Sequence, residues 1–118
     1  MSEYTKFTRF RQKMNQRILE AGNLDIKRFF ALDERVYSPG ILDRATKEML
    51  GLAASMVLRC DDCIRYHIIQ CREAGVKIEA MFEIFAVALV VGGSIVIPHL
   101  RRAVDFLEEL EKGVAAAE

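Results

Sequence analysis

The chain has 118 residues, 52% of them hydrophobic and 29% charged, a mixture that fits one globular domain spanning 1–118 with a real core and excludes an intrinsically disordered chain. Seventeen basic residues balance seventeen acidic ones, so no net field draws the protein to a phosphate backbone or an anionic bilayer, and neither nucleic acid nor a membrane is expected as a partner. The amino-terminal MSEYTKFTRFRQKMNQ is charged throughout and lacks the apolar stretch of a secretory signal, which makes the cytoplasm the expected compartment.

Apolar residues recur at helical spacing, and alternating runs bounded by hairpin turns are missing, so the chain reads as all-α with about six helices. The first is expected over Tyr4 to Ala21, ending on Gly22 and Asn23, a pair suited to a left-handed cap. The second runs from Asp25 to Val36, and Ser38-Pro39-Gly40 ends it because proline cannot continue a helix. A third starts at the N-cap Asp43 and carries Ala45, Met49, Leu52, Ala53 and Met56 on one stripe. The fourth covers Asp61 to Ala74 and stops at Gly75. The fifth, Ile78 to Val91, is apolar over most of its circumference, and Gly92-Gly93-Ser94 breaks it before a sixth from Ile95 to Lys112. The apolar run from Ile84 to Pro98 is about fifteen residues, short of the roughly twenty that a membrane helix needs, and reads as core. Between Met81 and Ile97 the only charge is Glu83. A helix that apolar needs cover on every face, which a chain this small has few helices to supply, so a homo-oligomer is expected.

The segment VLRCDDCIRYHIIQC holds all three cysteines, Cys60, Cys63 and Cys71, together with His67. An odd count in a reducing compartment argues against a structural disulfide framework and for redox or metal chemistry. On a helix Cys60, Cys63 and His67 share one stripe, with His67 one turn beyond Cys63. Two thiols three residues apart bridge most easily at a helix start, where the backbone can adjust, and Asp61 and Asp62 suit such a start. There the helix N-terminus and a protonated histidine lower a thiol pKa, while the two aspartates push the other way; spacing alone leaves the winner open. A zinc knuckle would use C-x2-C-x3-H-x3-C, but helical Cys60 and Cys71 stand roughly 16 Å apart along the axis, too far for one ion. The plainest alternative is buried cysteines beside a core histidine, and for Cys71 taken alone that reading is favoured.

With Glu48 included, the pattern E-x11-C-x2-C-x3-H resembles the signature of the alkyl hydroperoxidase D-like branch of the carboxymuconolactone decarboxylase family. The resemblance takes in the small-residue break in LVVGGSIVIPHLRRAV and covers most of the chain after Leu32. It implies a compact all-α subunit assembling as a trimer or hexamer, with a redox-active dithiol. Cys63 would be attacked by peroxide and become a sulfenic acid, Cys60 would close the disulfide and take part in proton transfer, and Glu48 and His67 would form the proton relay. If one straight helix joined Asp43 to Cys71, Glu48 would sit roughly 18 Å from Cys60; a turn near Arg59 would fold it back beside His67. Some members carry a second histidine where this chain has Asp62, and the true decarboxylases lack the dithiol.

The expected activity is therefore a thiol-dependent hydroperoxide or disulfide reductase. Its partners would be a peroxide substrate and an external dithiol or disulfide protein such as a peroxiredoxin. The alternatives are a non-enzymatic helical oligomer with structural or metal-binding cysteines, and a decarboxylase-type lyase. No cofactor is expected, because the chain has no Gly-rich phosphate loop and no dinucleotide fingerprint. His99, at the start of the last helix, reads as a structural or subunit-contact histidine, with lining the thiol pocket as the alternative.

Overall fold

A computed structural model of the chain describes residues 2–117, with side chains as far as residue 113. Among these residues there are six α-helices and one 3-10 turn, and no strand. The chain groups into two compact units, Met1–Ser38 and Pro39–Glu118.

The first unit is α1 (Glu3–Ala21) and α2 (Leu24–Val36). Ser2 caps α1 by accepting the Thr5 N–H at 3.1 Å, and Asn23 caps α2 by accepting the Ile26 N–H at 3.0 Å, each satisfying an amide that the first turn leaves without a partner. Gly22 is extended, with φ −73 and ψ 158, and not left-handed. Only two residues separate the helices, and Asn23 must itself be extended to cap α2, so no room remains for a left-handed turn. Phe10 and Phe29 are left 68% and 69% exposed.

The second unit is α3 (Arg44–Val57), α4 (Asp61–Glu73), α5 (Ile78–Gly92), the 3-10 turn Ser94–Val96 and α6 (Ile97–Ala117). α3 begins on Asp43, whose carboxylate accepts the Thr46 N–H at 2.8 Å. It packs against α4 and α5, and α4 packs against α6. The core is built from Leu52 and Met56 of α3, Ile64 and Ile68 of α4, Met81 and Phe85 of α5, and Phe106 and Leu107 of α6. Arg72 fastens the far end of α4 to α6, with Nε and Nη2 donating to the two oxygens of Glu111 at 2.6 and 3.2 Å and Nη1 donating to the Val76 carbonyl at 2.6 Å. This two-pronged pairing has the geometry in which Arg and carboxylate bind best.

The α3–α4 turn is where the fold makes its site. The Cys60 N–H bonds the Ser55 carbonyl and the Arg59 N–H bonds the Met56 carbonyl, both at 3.0 Å, the paired closure of a Schellman motif. α4 ends in the same way, Val76 to Cys71 at 2.9 Å and Gly75 to Arg72 at 3.1 Å. The left-handed position of that second motif is Gly75, φ +89, whereas in the first it is Arg59, φ +60. An arginine thus holds a conformation that costs a residue with a Cβ about 1–2 kcal/mol.

On α5 the buried side chains are Met81, Phe85 and Ala88, while Val87, Val90 and Val91 stay exposed, Val90 at 87%. No helix among the described residues is long and apolar enough to cross a membrane.

Candidate functional site

Cys60 is the N-cap of α4, with extended backbone (φ −101, ψ 98), and its sulfur accepts the Cys63 N–H at 3.3 Å. The cap residue's freedom from helical torsion lets the two sulfurs approach to 2.6 Å as free thiols. Cys63 is exposed and Cys60 partly so. The Cys63 thiol is pushed up from 9.0 to about 11, first because its sulfur is partly desolvated, then by the hydrogen bond and charge of Cys60, then by the Asp62 carboxylate; the bond to its own backbone N–H opposes them. Desolvation and the neighbouring Cys60 sulfur, more than the aspartate beside it, thus favour the protonated thiol.

One turn along α4 from Cys63, His67 lies 7% exposed, and Glu48 of α3 lies 1% exposed beside it. His67 Nδ1 and Glu48 Oε1 are 2.8 Å apart. The turn at Arg59 brings α4 back against α3 and makes this meeting possible across nineteen positions of sequence. A carboxylate oxygen accepts, so Nδ1 is the donor of this pair, and Nε2 is the ring nitrogen that Glu48 does not engage. Tyr66 meets the imidazole edge-on at 5.1 Å between ring centres. Gly51, also on α3, lies directly against the ring: a Cβ at that position would come within 2.6 Å of Cε1.

The residues that meet here lie within a segment that matches a family model. Residues 26–106 fit the carboxymuconolactone decarboxylase family. The chain belongs to that family. Among carboxymuconolactone decarboxylase family members, a solved protein of Thermotoga maritima, for which a part in the antioxidative response has been suggested, is 57% identical, with TM-scores of 0.92 and 0.91 in two crystal structures. Each alignment covers 96% of this chain, and 99% and 96% of the two Thermotoga chains. An apo-form family protein from Legionella pneumophila shares the fold at TM-score 0.79 and 22% identity, over 95% of this chain and 97% of that one. An uncharacterised protein of the cox locus of Paracoccus denitrificans is 30% identical over 83 residues, 70% of this chain and 75% of its own.

In this family member the start of α4 is also held from α6. His99 Nδ1 donates to Asp61 Oδ1 at 2.8 Å, and Arg102 Nε donates to Asp61 Oδ2 at 3.0 Å. Arg102 Nη2 lies 3.2 Å from the same His99 nitrogen, but a nitrogen donating to Asp61 has no lone pair left to accept, so the shorter bond defines the arrangement. Burial alone would raise the Asp61 carboxyl; the hydrogen bond from His99 and the charges of Arg102 and His99 outweigh it and hold the group below its ordinary value. His99 thus braces the residue between the thiols' helix cap and the helix body.

Cys71 is fully buried, and burial, followed by the charge of Glu48, pushes its thiol from 9.0 to about 12. It is a core side chain at neutral pH. α4 is helical from Asp61 to Glu73, which keeps Cys71 roughly 16 Å along the axis from Cys60, and among the described residues no three His, Cys, Asp or Glu side chains are placed to hold a metal ion.

Proposed function

We propose that the protein is a dithiol-dependent hydroperoxide reductase of the alkyl hydroperoxidase D-like branch. The observation that carries the reading is the pair of free sulfurs at 2.6 Å on a helix start, one turn from a buried carboxylate–histidine pair. A thiol with a pKa of about 11 is ionised to only about one part in ten thousand at pH 7, so attack by Cys63 needs a base. His67, four residues on along the same helix face, is that base: Nε2 takes the thiol proton, and Glu48 stabilises the imidazolium, the same logic by which a carboxylate orients a histidine toward a nucleophile.

The Cys63 thiolate attacks the terminal peroxide oxygen, the O–O bond breaks, and the departing alkoxide takes the proton from His67 to leave as alcohol. Cys63 is then a sulfenic acid. The Cys60 sulfur attacks it, and the sulfenic oxygen leaves with the Cys60 proton as water, so two thiols have become one disulfide and one peroxide has become alcohol and water. An external dithiol returns the pair to the reduced state. The suggested antioxidative role of the Thermotoga relative supports this direction of chemistry. The exposed apolar face of α5 supports the homo-oligomer, a trimer or hexamer, as the working form.

A stoichiometric hydroperoxide pulse followed by thiol titration and peptide mapping tests the reading. Two thiols should be lost per peroxide, with Cys60 and Cys63 joined in one cross-linked peptide, Cys71 unmodified, and full recovery with a dithiol reductant. Modification of Cys71 alone, or no thiol loss, overturns it.

A further inference from the structure

The structure assigns to Gly51 the task of setting the ring plane of His67, a positioning role in the proton relay; it rests on the reading of His67 as the base for Cys63.

A glycine in the second half of α3 needs a reason, because it costs a helix interior about 1 kcal/mol relative to alanine. The reason is visible in three distances. A Cβ at position 51 would stand 2.6 Å from His67 Cε1 and 2.9 Å from each of Nδ1 and Nε2. Equal distances to the two nitrogens put that point in the plane that passes through Cε1, between the nitrogens, and stands perpendicular to the ring. An approach in the ring plane, from beyond Cε1, would leave both nitrogens farther off than this, so the point stands over the face of the ring. The imidazole lies flat on the bare backbone of α3.

Two further bonds remove the freedom to retreat. Glu48, three residues before Gly51, holds Nδ1 at 2.8 Å, so sliding the ring off position 51 breaks the pairing with Glu48. The carbonyl of Gly51 accepts the hydroxyl of the buried Ser55 at 2.7 Å, which fastens this stretch of α3 to its own next turn. Ring, carboxylate and floor are therefore set by one short run of α3, and the direction of Nε2 follows from all three.

Replacing Gly51 by alanine must drive the ring away by about 1 Å to reach an ordinary carbon–carbon separation, and a misplacement of that size at a reacting group costs on the order of a hundredfold in rate. Two measurements test the assignment. The first is the pH profile of Cys63 alkylation by iodoacetamide, mapped by mass. Gly51→Ala should lose about tenfold or more of the rate at pH 7 and converge on the parent as the pH nears 11, where the thiol ionises unaided. The second is the melting temperature of Gly51→Ala in two backgrounds. With His67 present it should fall. In His67→Ala, where no ring lies over position 51, the same substitution should raise it by some degrees, through helix propensity alone.

A reversal of sign together with the rate loss supports the assignment. A rise in both backgrounds, or a parent-like alkylation profile, overturns it. If Gly51→Ala alone does not fold, the paired comparison in His67→Ala decides, and no gain there overturns the proposal. A parent protein whose Cys63 reacts at neutral pH no faster than a free thiol of pKa about 11 would instead refute the peroxidase reading of His67, while the melting-temperature arm still judges the packing.

Discussion

Glu48→Gln isolates the charge of the relay from its shape. The amide fills the same space, and its oxygen still accepts from His67 Nδ1, so folding stability should change by less than about 1 kcal/mol. What is lost is the attraction between carboxylate and imidazolium during proton transfer. The two groups touch at 2.8 Å with Glu48 1% and His67 7% exposed. Opposite charges about 4 Å apart at an effective dielectric of 20 attract by about 4 kcal/mol. At the low end, turning a charge-assisted hydrogen bond into a neutral one forfeits about 1.5 kcal/mol. At about 1.36 kcal/mol per decade, the alkylation rate of Cys63 at pH 7 should fall between roughly tenfold and a thousandfold. Because the unaided thiol ionises at about 11, parent and variant should converge as the pH approaches that value. Iodoacetamide kinetics from pH 6 to 11, with Cys63 followed by mass, measures both limbs. Superimposable profiles at neutral pH would refute the relay and leave Glu48 a buried structural partner. Glu48→Ala is the wrong tool, since it also strands the histidine and opens a cavity.

Arg59→Gly should stabilise the fold by roughly 0.5–1 kcal/mol, a rise of a few degrees in melting temperature, since it relieves a left-handed arginine at some cost in unfolded-state entropy; a lower melting temperature would mean that the arginine side chain itself holds the turn. Cys71 keeps its proton in the folded state up to about 12, whereas the unfolded chain releases it near 9.0, so its stabilising contribution is complete below pH 9 and is lost as the pH climbs toward 12. Urea titrations at pH 8 and pH 10.5 should accordingly show a smaller drop in Cys71→Ala than in the parent, with peroxide-driven thiol loss unchanged. In solution the mass by light scattering should be a multiple of 13.4 kDa, and Val90→Asp, at an 87% exposed apolar position, should reduce it; a parent mass of one chain refutes the oligomer.

Helix existence was legible in the sequence because capping chemistry is local: Asp43, the Gly75 stop and the break at Gly92 and Gly93 all stand where spacing indicated. The α3 stripe was read differently. Hydropathy placed Ala45, Met49, Leu52, Ala53 and Met56 inward, yet the most buried set is Glu48, Leu52, Ser55 and Met56. A glutamate scores as solvent-facing until its partner is known, and that partner lies on another helix; the resemblance supplied the pairing with His67, and spacing did not. The bonds that tie Asp61 to His99 and Arg102 escaped for the same reason, their partners being 38 and 41 positions apart. Gly51 carried a faint signal, an isolated glycine inside a helical pattern, but no periodicity could say which side chain would lie on it. The direction of the Cys63 shift was hidden too, since its leading cause is desolvation of the sulfur.

Cys60 closes α3 through its N–H and opens α4 through its sulfur, so no residue of the turn is spare. The interval from Glu48 to Cys60 consequently behaves as a ruler cut to one length. Adding or deleting a single residue between them would rotate Glu48 by about 100° and shift it about 1.5 Å along α3, turning the carboxylate away from His67 whatever residue was inserted. Substitution within the interval is a matter of packing, and most of its exposed positions can vary. A change of length is a loss of register, and related chains that keep this chemistry should vary in composition there and not in count.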